Sequence, residues 1–140
     1  MVGFRFLVLE TARQRGPECV RAVRTALDLG YRHIDTAELY ANEREIGEAI
    51  AMSGVQRVEI FLTTKIRASH FRAADAKRTA ETSLRNLRTD YIDLLLMHSP
   101  NEAVSLSETL GVLADLDRGQ QLPDCAAGKG DQGLPGPDRV

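Results

Sequence analysis

The chain has 140 residues, 43% hydrophobic and 27% charged, with a formal net charge of -2. That balance suits one globular domain and argues against nucleic acid as a partner, because the basic residues are scattered among acids rather than gathered in a stripe. Cys19 and Cys125 form no CxxC pair, so neither a disulfide framework nor a metal site is indicated, and a reducing, cytoplasmic setting is expected. The opening MVGFRFLVLE is too short, and too interrupted by Arg5, for a signal peptide. No apolar run approaches membrane-spanning length, so no membrane partner is expected.

FRFLVL (residues 4 to 9) reads as a first strand. RGPECVRAVRTALDLG follows as a helix, with Pro17 suited to its first position, Gly30 to its C-terminal cap, and Val20, Val23 and Leu27 on one apolar face. YRHID is a short strand. Asn42 and Glu45 have capping-box spacing for a second helix, whose inner face is Ile46, Ala49 and Ile50. EIFLTTKI (59 to 66) is a β-branched third strand, and residues 72 to 88 form a third helix with Ala73, Ala76, Ala80, Leu84 and Leu87 on one side. YIDLLLMH (91 to 98) is a near-continuous apolar run, the pattern of a strand covered on both faces. Ser105 and Glu108 have capping-box spacing again, ahead of a helix carrying Leu110, Leu113 and Leu116. The alternation β-α-β-α-β-α-β-α predicts a parallel sheet built from right-handed crossover units. After about Asp117 the chain turns rich in Gly, Pro and Asp without apolar periodicity. We expect two regions: a folded domain over 1–116 and a disordered tail over 117–140.

In a barrel of parallel strands, the C-terminal strand ends converge on one mouth. Asp35 ends the second strand, Tyr40 lies just beyond it, Lys65 is near the end of the third and His98 ends the fourth. A lysine cation beside a phenol favours the phenolate and so eases proton transfer, and a carboxylate beside the lysine keeps the ammonium in place. An imidazole opposite can hydrogen-bond and orient a carbonyl oxygen. The set suits protonation of a carbonyl oxygen while hydride reaches its carbon. Singly, each residue has an ordinary reading: Asp35 as a cap with Glu38 three residues on, Tyr40 as surface packing, Lys65 as a solvated lysine, His98 as a satisfied histidine. Cys19 reads as a small helix-face residue and Cys125 as an unpaired thiol. His33 and His70 read as structural or exposed, and Arg85 and Arg88 as a solvated helix face or end.

The stretch GYRHIDTAELYANEREIG resembles the first signature of the aldo-keto reductase family at every position: Gly, aromatic, Arg, variable, apolar, Asp, small, Ala, five residues, Glu, two residues, apolar, Gly. TTKI around Lys65, LRTDYIDLLLMH up to His98, and Pro100 are similar to the family as well, in particular to bacterial members that reduce diketogluconates and other small aldehydes or ketones. The likeness covers roughly residues 18 to 116. It implies a (β/α)8 TIM barrel and NADPH-dependent reduction of a small carbonyl substrate. Under it, Tyr40 is the proton donor, Lys65 the cation that eases release of its proton, Asp35 the partner of Lys65 near the nicotinamide ribose, and His98 the residue that binds and orients the substrate carbonyl.

Three departures accompany the likeness. Where the family has Gly-x-Gly-Thr at the first strand, Gly3-Phe4-Arg5-Phe6 stands here, and Arg5 would crowd the cofactor; Ser99 stands where the family often has Trp. A complete barrel needs roughly 250 residues, so the third departure is length: the expectation is the first half of a barrel, about four βα units, ending as a truncated or frameshifted gene would. Such a half-barrel would lack the strands that hold the cofactor's carboxamide and phosphates. It would expose open edges through which chains self-associate. The alternative expectation is a non-catalytic half-barrel, either a defunct fragment or a regulatory binding subunit, as the β-subunits of potassium channels use this fold.

Overall fold

A computed structural model of the chain describes residues 7–101 and 103–116. The elements run β1 (Val8–Glu10), α1 (Gly16–Asp28), β2 (His33–Asp35), α2 (Glu43–Ser53), β3 (Phe61–Ile66), α3 (Ala73–Leu87), β4 (Leu94–Met97) and α4 (Leu106–Asp115), with 3-10 turns at Glu38–Tyr40, Arg57–Glu59 and Ala68–His70. The strands form one parallel sheet in the order β1-β2-β3-β4. This is the βα succession of a (β/α)8 barrel, as the alternating pattern predicts. The tail over 117–140 and residues 3–6 lie outside the described residues, as does Cys125.

Strand alternation divides the sheet into two faces. Ile34, Leu62 and Ile66 point to the helices and are buried with Cys19, Val23, Leu27, Ile46 and Ile50 of α1 and α2 and with Ala76, Ala80 and Leu87 of α3. The opposite face carries Val8, Glu10, His33, Asp35, Phe61, Thr63, Lys65, Leu94 and Leu96 by the same alternation. Helix α1 opens with Pro in its first turn and closes ahead of Gly30, whose φ of +90° lets the chain reverse into β2. At the other end of β3 and β4, Arg57 braces the strands: its guanidinium pairs with Asp93, donates to Tyr91 O and Ile60 O, and lies 4.0 Å from the Tyr91 ring centroid.

Four sequence expectations change. The first strand sits later than residues 4 to 9, so its last residue is Glu10. β3 begins at Phe61, because Glu59 belongs to a 3-10 turn whose capping box it completes with Gln56. β4 is not covered on both faces: Leu94 and Leu96 are 39% and 37% exposed. Ala73 also stays exposed at the start of α3, where Thr79 and Ser83 are buried instead. Ser105 does cap α4, accepting from Glu108 N at 3.2 Å.

Candidate active site

The loop after β2 is held by bonds of its own. Thr36 N donates to Thr63 O at 2.9 Å, which carries the chain one step beyond β2 alongside β3. The turn Glu38–Tyr40 then closes with Ala41 at φ +53°, a left-handed conformation that costs an alanine roughly 1–2 kcal/mol. Asn42 offsets that strain. Fully buried, its Nδ2 donates to Thr11 O at 2.7 Å and Gln14 O at 3.0 Å, and its Oδ1 accepts from Thr36 Oγ1 at 3.0 Å. These bonds tie the Tyr40 turn to the loop after β1. Asn42 stands at the N-cap of α2 yet makes no cap bond with its side chain. The capping box expected of Asn42 and Glu45 does not form; Glu45 Oε1 instead accepts from Gly16 N at 3.3 Å.

Glu38 braces the same turn from the other side, accepting from Arg67 N at 3.1 Å and pairing with His70 Nδ1 at 2.7 Å. His70 is therefore a partner in the loop after β3. Asp35 is not a cap for this turn, because the residue ahead of it is Ala37. His33 has a structural place, bonded to Thr63 Oγ1 at 2.9 Å and edge-on to Phe61.

On this frame the structure brings the four expected residues together. The Lys65 ammonium pairs with the Asp35 carboxylate and donates to Thr36 O at 3.0 Å. It lies 5.3 Å from the centroid of the Tyr40 ring. The Tyr40 and His98 rings meet edge to face at 5.5 Å and 90°. His98 is anchored through its backbone, whose N–H donates to Ile66 O at 2.9 Å, and its Nδ1 is buried without a hydrogen-bond partner. Asp35 uses Oδ1 for Lys65, and its Oδ2 has no hydrogen bond among the described residues.

A fifth side chain joins them. Glu10 pairs in register with Asp35, and its Oε1 accepts the Tyr40 hydroxyl at 3.4 Å. Sequence reading missed it because the first strand was placed too early. The available signal was a charged residue ending the apolar run FLVLE directly before Thr11. Among the described residues, Glu10 is what the first strand presents at the mouth.

Behind the site lies Glu43, only 4% exposed, whose carboxylate accepts from Thr64 Oγ1 at 2.8 Å and from Asn86 Nδ2 at 3.5 Å. Burial pushes its carboxyl up from the ordinary range; bonds from Thr64, Ser83 and Asn86 oppose that, and nearby Glu38 adds to it. A cavity of about 450 Å³ beside it, lined by Glu38, Glu43, Arg44, His70 and Asn86, opens between α2 and α3 and touches none of the mouth residues. The buried Cys19 thiol is pushed up to about 11, first by desolvation and then by Glu45, against a smaller opposing effect of Arg15.

Comparison with known proteins adds to this geometry. The model of the aldo/keto reductase family matches residues 8–120. A methylglyoxal reductase DkgB of Salmonella typhi is 44% identical over 109 residues, covering 76% of this chain and 41% of the relative. A glycerol 2-dehydrogenase (NADP(+)) of Saccharomyces cerevisiae is 46% identical over 92 residues, 66% of this chain and 29% of its own. Among solved structures, one named as a 2,5-diketo-D-gluconic acid reductase B superposes with a TM-score of 0.80 at 42% identity, covering 84% of this chain and 42% of that one. An aldose reductase of Schistosoma japonicum gives 0.78 at 30% identity, over 84% of this chain and 47% of the other. The chain thus spans less than half the length of these relatives.

Proposed function

This chain belongs to the aldo/keto reductase family, and from that premise we propose that its mouth serves the NADPH-dependent reduction of a small aldehyde or ketone to an alcohol. One observation carries the reading: the Lys65 ammonium, held by Asp35 and Thr36 O, faces the Tyr40 ring, and the His98 ring stands perpendicular to that phenol. Tyr40 gives its hydroxyl proton to the carbonyl oxygen. The Lys65 cation stabilises the phenolate left behind. His98 orients the carbonyl oxygen through Nε2, since Nδ1 is shut off from solvent. The open Oδ2 of Asp35 fits a hydroxyl of a nicotinamide ribose; by the family resemblance the carboxamide and phosphates would be held by later strands, which a second half-barrel would have to supply. NADPH, when bound, supplies the hydride. The relatives' names, one a methylglyoxal reductase and one NADP(+)-dependent, support the same substrate class and cofactor. A cytoplasmic setting suits a cofactor-dependent enzyme with a free, buried thiol; no described helix is long and apolar enough to cross a membrane.

The test is an NADPH titration of the 140-residue chain followed by fluorescence, then turnover of methylglyoxal by the wild type and Tyr40→Phe. Saturable binding is expected, with turnover falling roughly 10²–10⁴-fold in the phenylalanine variant, the span of a lost general acid. Unchanged turnover in that variant would remove Tyr40 from the role. No binding at millimolar NADPH would leave a binding scaffold in place of a reductase.

A further inference from the structure

The proton-transfer set described above has no use for Glu10, yet its Oε1 accepts from the Tyr40 hydroxyl at 3.4 Å, the long end of a hydrogen bond. It emerges from β1 on the same face as Asp35, its register partner, and shares that face with Lys65 of β3. It is exposed and makes no ion pair among the described residues. The nearby Lys65 ammonium is committed to Asp35 and to Thr36 O. Two carboxylates against one ammonium leave a negative charge in excess, and that charge sits on the hydroxyl meant to meet the substrate.

We infer that Glu10 is a specificity-determining residue: it turns this mouth against carbonyl compounds that carry a carboxylate next to the carbonyl and towards uncharged ones. The inference deepens the carbonyl-reductase reading and rests on it, since it takes the Tyr40 hydroxyl as the group the carbonyl oxygen meets. Two consequences separate cleanly. Any carbonyl oxygen must displace Glu10 as the acceptor of the Tyr40 hydroxyl, a cost common to every substrate. Only an anionic substrate then brings a second carboxylate close to the Glu10 charge. At an exposed mouth with water-like screening, like charges at about 4 Å weaken affinity about fivefold, and more where the mouth is drier.

The probes are pyruvate and its uncharged methyl ester, which differ in charge while keeping the same ketone. Each is titrated into the wild type, Glu10→Gln and Glu10→Asp, following the Tyr40 and His98 ring signals by NMR; turnover with NADPH is measured alongside. Glutamine removes the charge and keeps an acceptor for the Tyr40 hydroxyl, whereas aspartate keeps the charge. The expected result is a rise of about fivefold in the affinity for pyruvate relative to the ester in Glu10→Gln, matching that Coulomb estimate, with the wild-type preference kept in Glu10→Asp. An unchanged ratio in Glu10→Gln overturns the inference, and so does failure of both ligands to shift either ring in every variant. Binding that shows the expected ratio without turnover in any variant would instead count against the reductase reading and leave the charge assignment standing.

Discussion

Glu43 is the Glu of the signature stretch, and its place in the structure gives that position a physical meaning. Its carboxyl is buried between Thr64 of β3 and Asn86 of α3, one residue along the strand from Lys65. Burial raises it above its ordinary value of 4.5, so the folded state binds its proton more tightly than the unfolded chain does. The sign follows: stability from this group is fully present below 4.5 and is lost as pH rises through the folded value. Urea melts of the wild type and Glu43→Gln from pH about 4 to about 7 should show the wild type losing stability relative to the variant as pH rises. A difference independent of pH would mean that Glu43 titrates alike folded and unfolded. Asn42 shows the limit of spacing as a guide. Its interval to Glu45 marks a helix start correctly, but its side chain serves the loop after β1, because a buried amide with carbonyls on two sides can make more bonds there than at a helix end.

At the scale of elements, the closing Gly of the signature is explained by how α2 meets α3. A Cβ on Gly47 would lie 2.5 Å from Asn86 O and 2.6 Å from Leu87 C, both backbone atoms that cannot rotate aside. The two helices approach as closely as they do because nothing projects there. Gly47→Ala should therefore destabilise the chain by about 1–3 kcal/mol, the usual range for overpacking, read as a lowered urea midpoint at unchanged m. A melt indistinguishable from wild type would show that the helices separate without cost. Helix existence and inner faces were legible from apolar spacing: Val23 and Leu27, Ile46 and Ala49, Ala76 and Ala80 are all buried as that spacing predicts. Strand ends were less so. A three-residue strand such as β1 has no period long enough to fix its frame, and a slip of one residue there exchanges which side chains face the mouth.

For the whole molecule, the sheet face opposite the helices dominates. Val8, Phe61, Leu94 and Leu96 are exposed on it, beside the charged mouth residues. Large apolar side chains exposed together on one sheet face favour association. The 140-residue chain by itself should associate through that face. Light scattering after gel filtration should report a mass above that of one chain, and the double variant Leu94→Lys with Leu96→Lys should return it to the monomer while keeping its helical circular dichroism. A wild type that runs as a monomer at all concentrations would assign that face no role in association.

Composition and apolar periodicity sufficed to determine the βα alternation and the parallel sheet, and strand ends sufficed to place Asp35, Tyr40, Lys65 and His98 at or just beyond the C-terminal ends of neighbouring strands. These follow from local rules, since helix and strand periods and the C-terminal ends of parallel strands are written in short intervals of sequence. Only the tertiary structure decided what each group touches: Asn42 on the β1 loop, His70 on Glu38, Glu10 on the Tyr40 hydroxyl. Each of those contacts joins residues that are distant along the chain or on separate elements. They depend on the register between strands and the packing of loops, which no interval within one element records.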